Sequence, residues 1–106
     1  RIGAIQALRE INNKSDGVVD GLLPSTQLLM AYRDSKCDST TSLTASLHLT
    51  RDAFNGKGVS AVVGAGCSGA SAAAAQVAAG SQVPIMSPYS TSSSLSDGRN
   101  YPYFLR

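Results

Sequence analysis

The run Val59-Ser60-Ala61-Val62-Val63-Gly64-Ala65-Gly66-Cys67-Ser68-Gly69-Ala70-Ser71 decides the fold. Its first five residues, Val59 to Val63, are mostly β-branched and apolar, the form of a strand buried on both faces. Gly64 and Gly66 allow a sharp turn, and from Ser68 an alanine-rich segment has the propensity and length of a helix. In an open α/β sheet such a junction lies at the carboxyl end of a strand, where small ligands sit. The N–H groups of the first helical turn have no intrahelical acceptor. With the Ser68 hydroxyl they make a place for an anion such as a carboxylate.

Two catalytic readings of the same letters fail. Gly64-Ala65-Gly66-Cys67-Ser68-Gly69 fits G-x-G-x-x-G between a strand and a helix, but a dinucleotide site also wants an acid near the end of the next strand to hold the ribose. That strand, Val83-Pro84-Ile85-Met86, runs into Ser87-Pro88-Tyr89-Ser90-Thr91 with no acid. A serine hydrolase needs a base beside its nucleophile. His48 is the one histidine, it lies upstream in a helical segment, and Gly-x-Ser-x-Gly is missing. Nor does His48 have the cysteines or histidines around it that a metal site requires. No enzyme activity, cofactor or metal is expected.

Composition narrows the remaining classes. The chain has 106 residues and a net charge of +2, with nine basic residues scattered along it, so neither a nucleic-acid stripe nor a polybasic membrane patch is present. Tryptophan is absent, which argues against a base-stacking surface. No apolar run approaches the roughly 20 residues that span a bilayer, and no signal peptide opens the sequence. Arg1-Ile2-Gly3-Ala4 stands inside a helical pattern and Tyr103-Phe104-Leu105-Arg106 reads as a strand; both ends read as cut, and residues 1–106 as one α/β domain.

Taken in order, Ile2, Ile5, Leu8 and Ile11, with Ala4 and Ala7, make one apolar stripe of a helix over residues 1–13. Asn12-Asn13-Lys14-Ser15-Asp16-Gly17 stops it. Gln27-Leu28-Leu29-Met30-Ala31-Tyr32 has the form of a short buried strand and ends in the polar loop Arg33 to Asp38. Ser39 or Thr40 can cap a second helix carrying Leu43, Leu47, Thr50 and Phe54 on one face. The third helix, Ser68 to about Ala79, has small side chains that let it lie close to a sheet or another helix, with Gly80 as its C-terminal cap. Helices alternating with short strands imply a parallel sheet with right-handed crossovers, a three-layer α/β/α arrangement. The loops after the three strands, at 33–38, 64–68 and 87–93, then open on one edge around Ser68 and Thr91.

Cys37 and Cys67 each stand just beyond a predicted strand. If those strands are neighbours their ends bring the sulfurs within bonding range; the alternative is two separate buried thiols. Asn13-Lys14-Ser15 is an N-glycosylation sequon in a surface loop. With paired cysteines it points to an extracellular setting.

Asp34-Ser35-Lys36-Cys37-Asp38, Gly66-Cys67-Ser68, Val83-Pro84, Ser90-Thr91-Ser92, Leu95-Ser96-Asp97 and Tyr101-Pro102-Tyr103-Phe104-Leu105-Arg106 stand in an order that resembles the Venus-flytrap ligand-binding region of class C G-protein-coupled receptors. The flavour is that of the GABA-B and metabotropic glutamate group. The resemblance implies part of lobe 1 of a type I periplasmic-binding-protein fold, at the cell surface and without catalysis. It implies Cys37–Cys67 as the lobe-1 disulfide, Ser68 on the ligand carboxylate and Thr91 as a second ligand residue, with Gly66, Cys67, Gly69, Tyr89 and Ser90 around them. Gly69 stands where many relatives carry serine, and Pro88 and Tyr89 also depart from the usual pattern. The implied partners are a small amino-acid-like ligand and either the second lobe or further copies of the chain. A different class of function, a structural or self-assembling module that keeps the fold without sensing, draws on unpaired sheet edges as templates for association.

Overall fold

The structure, a computed structural model, describes residues 2–106. Arg1, the first residue of the helix expected over 1–13, lies outside the described residues. The chain divides into two units, residues 1–30 and 31–106.

In the first unit, α1 runs Ile2–Asn12. Its last residue does more than stop the helix. The Asn12 side-chain amide donates to the Leu28 carbonyl at 2.8 Å and its oxygen accepts the Leu28 N–H at 2.7 Å. Both backbone groups of Leu28 are therefore taken by one side chain, in the pattern a neighbouring strand would offer. This corrects the reading of residues 27–32 as a strand, since no ladder forms there. A short apolar run between turn signals does not by itself reveal which groups will answer its hydrogen bonds.

The second unit holds α2 (Ser39–Leu47), a π-helical turn (His48–Asp52), the short turn α3 (Ala53–Gly56), β1 (Val62–Val63), α4 (Ser68–Gly80), β2 (Ile85–Met86), a 3-10 turn (Ser93–Ser96) and β3 (Phe104–Leu105). Asp38, not Ser39 or Thr40, caps α2: its Oδ2 accepts the Thr41 N–H at 2.7 Å. That bond with the Thr41 backbone, and then the Thr41 hydroxyl, hold the Asp38 carboxyl below its ordinary pKa. A carboxyl depressed in the folded state stabilises above its unfolded value near about pH 4 and loses that effect as pH falls through the folded value. Thermal melts across this acid range should show a loss in the native protein that Asp38→Asn, whose amide oxygen caps without titrating, does not share. Parallel curves for the two would remove the cap from the acid response.

The apolar stripe expected on α2 is also displaced. Ser42 and Ser46 are the buried residues of the helix, while Leu43 and Phe54 are exposed. Two causes act. The π-turn adds a residue to the helical period and shifts the phase of the residues beyond it. Phe54 and Asn55 then take left-handed φ of 53° and 61°, so the helix has ended before the stripe does. Gly58 comes next with φ +70°, where an added Cβ would stand 2.1 Å from the Thr50 carbonyl oxygen. No other residue fits without moving backbone.

The three strands form one parallel sheet in the order β1-β2-β3, with Val62, Ile85 and Phe104 in register and Val63, Met86 and Leu105 beside them. This is the α/β class with a parallel sheet that the alternating pattern requires. The α4 helix supplies the other half of the core: Ala74, Ala75 and Ala78 meet Ile85, with Val62, Tyr101 and Phe104 packed around them. Alanine side chains are short enough for the helix to lie against both the sheet and α2, where the Ser42 hydroxyl donates to the Ala70 carbonyl at 2.8 Å. The end of α4 differs from expectation. Gly80 is still helical, Ser81 is the C-cap and Gln82 takes the left-handed φ of 55°. The Val83 N–H reaches the Ala78 carbonyl at 2.8 Å and the Gln82 N–H the Ala79 carbonyl at 3.1 Å, which is a Schellman closure two residues beyond the glycine.

Candidate functional site

All three strands are parallel, so the segments leaving their carboxyl ends share one edge of the sheet. After β1 comes the turn Gly64–Cys67, then α4; after β2 comes the loop 87–92; after β3 comes Arg106. Cys67 stands at the N-cap of α4 and makes no side-chain hydrogen bond to the first turn. The first-turn N–H groups thus have no side-chain cap from Cys67.

Cys37 and Cys67 are joined as a disulfide with a Cα–Cα distance of 5.4 Å. Cys37 directly precedes Asp38, the cap of α2, and Cys67 is the N-cap of α4. The bridge therefore ties together the N-termini of two packed helices rather than the ends of two neighbouring strands. Gly69 lies on the same seam, where an added Cβ would come 3.2 Å from the Ser39 hydroxyl.

Ser68, the residue expected to hold a carboxylate, is half-buried, and its Oγ accepts the Ser92 N–H at 3.2 Å. One face of the 87–92 loop is thereby attached to the first turn of α4. Beneath it lies a buried cluster of hydroxyls. Ser87 and Ser71 both reach the Ala65 carbonyl oxygen, at 2.6 and 2.8 Å. The Ser90 hydroxyl stands 2.8 Å from that of Ser87 and donates to that of Ser71 at 2.6 Å. The Ser90 N–H donates to the Ser87 Oγ at 3.2 Å. Ser90, expected among the ligand contacts, has its hydroxyl committed to this cluster.

Thr91 and Tyr89 are exposed and line an open concavity of about 390 Å³ together with Ser87, Pro88, Ser90 and Arg106. Gly66, Cys67, Ser68 and Gly69 do not line it; Ser68 is tied to the same loop through its contact with Ser92. Arg106 escaped the sequence reading. Its guanidinium donates to the Ser92 carbonyl at 2.8 Å and to the Ser96 hydroxyl, holding the far side of the loop. The signal for it was its position just past a third parallel strand, on the same edge as Ser68. Among the described residues no group of His, Cys, Asp and Glu could hold a metal ion, and no helix is long and apolar enough to cross a membrane.

Comparison with known proteins agrees with this geometry. The family described as receptor family ligand binding region matches residues 2–106. No curated protein matches the chain. Among solved structures, the branched-chain amino acid transporter substrate binding protein LivJ from Streptococcus pneumoniae, in complex with isoleucine, is similar, with a TM-score of 0.75 and 33% sequence identity. The similarity covers 96% of this chain and 26% of that protein, so the chain spans about a quarter of its relative's length. With the match running from Ile2 to Arg106 and the parallel sheet presenting its loops on one edge, the chain belongs to the receptor ligand-binding-region family, whose members bind rather than catalyse.

Proposed function

We propose that the chain is the first part of lobe 1 of a two-lobed binding protein and holds the carboxylate of a small amino-acid-like ligand at the N-terminus of α4. The observation that carries this reading is the state of the Ser68 hydroxyl. It accepts the Ser92 N–H, which fixes its direction, while its own proton has no partner among the described residues. A hydroxyl has one proton to donate and two lone pairs; here a lone pair is used and the proton is left for an anion. The first-turn amides and the helix dipole add partial positive charge at the same point. Thr91 supplies the second hydroxyl, with Gly66, Cys67, Gly69 and Tyr89 bordering the ligand. The isoleucine in the LivJ complex supports a ligand of this class, over which the second lobe would close.

A cell-surface or extracellular setting is supported by the Cys37–Cys67 disulfide and the exposed sequon at Asn13. The order of the six motifs supports the finer reading, a sensing region of a class C receptor. Calorimetric titration of the full-length protein with L-isoleucine, L-glutamate and GABA tests the site. A hydrogen bond to a charged group contributes about 1.5–3 kcal/mol, so Ser68→Ala should weaken the ligand that binds by roughly 10- to 150-fold while leaving the unliganded melting temperature nearly unchanged. Equal affinity in the two proteins would remove Ser68 from the site.

A second reading, a self-assembling module, draws on one observation. Val63, Met86 and Leu105 form a registered apolar row on the sheet, 80%, 50% and 54% exposed. Sedimentation showing a concentration-dependent oligomer with no amino acid bound would favour it.

A further inference from the structure

We propose that Ser71, Ser87 and Ser90 are positioning residues, a buried hydroxyl latch that fixes Thr91 relative to Ser68. What the latch positions rests on the ligand reading above; the latch itself does not. Its three hydroxyls, all buried, connect three separate pieces of chain: the turn after β1 through the Ala65 carbonyl, the second turn of α4 through Ser71, and the loop after β2 through Ser87 and Ser90.

Counting protons shows how the pieces are coupled. Three hydroxyl protons serve four short contacts: Ser87 to Ala65, Ser71 to Ala65, Ser87 to Ser90 and Ser90 to Ser71. With Ser90 donating to Ser71 and Ser71 to Ala65, the Ser87 proton goes either to the Ala65 carbonyl or to the Ser90 oxygen. Both arrangements leave every hydroxyl satisfied, so the network tolerates a proton shift but not the loss of a member. A buried hydroxyl stripped of its partner must find another or let water in.

Thr91 sits between two anchored residues. On one side Ser90 is held by its hydroxyl on Ser71 and its N–H on Ser87; on the other the Ser92 N–H is held by the Ser68 Oγ. Ser68 and Ser71 lie one turn apart on the same helix, so α4 grips the loop at two points on either side of the exposed Thr91. On the Ser90 side the spacing between the Ser68 and Thr91 hydroxyls is therefore set by residues that need not touch a ligand, and on the other side by Ser68 itself.

The test is amide hydrogen exchange on the full-length protein, native and Ser71→Ala, followed by titration with L-isoleucine. The Ser92 amide should exchange at least about tenfold faster in Ser71→Ala, while the amides of Ala74 to Ala78 on the same helix keep their native rates. L-isoleucine affinity should fall about tenfold in step. Unchanged exchange at Ser92 overturns the latch, and so does an equal acceleration along all of α4, which would mean the hydroxyl serves global stability alone. If Ser71→Ala does not fold, Ser87→Ala takes its place with the same expected pattern, the same two results overturning it. Faster exchange confined to the loop, in a protein that binds no amino acid even in native form, upholds the latch and overturns the ligand reading instead.

Discussion

Replacing Cys37 and Cys67 together by serine is expected to lower the unfolding free energy by about 3–4 kcal/mol in the chain-entropy account of a bridge, here one with a sequence separation of 30. Denaturant unfolding of the full-length protein, with and without the substitutions, measures it. The effect should be large relative to the total because little else in this segment is strongly apolar. Among the described residues the large hydrophobic side chains that are buried are Ile85, Leu95 and Val83, Ile85 the most fully, and the α4 side of the core is alanine, whose burial contributes little per residue. The bridge also joins the residue before the α2 cap to the α4 N-cap, next to Ser68. The serine variant should therefore lose ligand affinity together with stability. A loss of stability under about 1 kcal/mol would mean that the α2–α4 seam, with its Ser42 to Ala70 hydrogen bond, already holds the two helix ends without help from sulfur.

What the sequence revealed and what it hid divide along a physical line. The order strand, turn, helix at the β1–α4 junction is legible because it rests on local rules, two glycines in a turn and an alanine-rich helix among them, but the strand itself is shorter and more open than Val59–Val63 predicts: it is Val62–Val63, with Val63 80% exposed. The parallel sheet comes from that alternation, and the close approach of α4 from its small side chains. The errors fall where the deciding partner is distant in sequence or the helical period is broken. Leu28 finds its hydrogen bonds sixteen residues back, on a side chain. The stripe from Leu43 to Phe54 assumed a period of 3.6 through a segment that contains a π-turn. Gln82 adopts the left-handed conformation expected near Gly80, because the Schellman bonds to Ala78 and Ala79 fix the closing position.

The site divides in the same way. Ser68 was legible from its place at a helix start. The loop Ser87-Pro88-Tyr89-Ser90-Thr91 reads as a run of interchangeable hydroxyls, yet Ser87 and Ser90 are buried and Tyr89 and Thr91 exposed. Low complexity in the letters hides this alternation, since serine gives no hydropathy signal for which side is turned inward. Arg106 was hidden because its partners, Ser92 and Ser96, precede it by more than a helical turn in either period.

Ile85→Ala is expected to cost about 4 kcal/mol, toward the upper end of the 2–5 kcal/mol typical of such truncations, and Ile85→Val about 1 kcal/mol. Ile85 is 1% exposed at the centre of the sheet, in register with Val62 and Phe104 and faced by Ala74, Ala75 and Ala78. The cost of a cavity depends on how far its walls can collapse. The alanine walls on the α4 side have no rotamers with which to fill a gap, so on that side only a movement of α4 as a body toward the sheet could close it, while Val62, Tyr101 and Phe104 border the rest. That movement is opposed at the helix start by the disulfide and the latch, and at its end by the Schellman closure. Thermal or denaturant unfolding of the two variants reads the difference directly. A cost below about 1 kcal/mol for Ile85→Ala would mean that α4 does shift, and the shift would carry Ser68 and Ser71 with it. Affinity for L-isoleucine would then fall in a variant whose altered side chain lies in the core, away from the concavity around Thr91. If the full cost falls on stability and affinity is kept, α4 is a fixed platform and the loop after β2 is what adapts to the ligand.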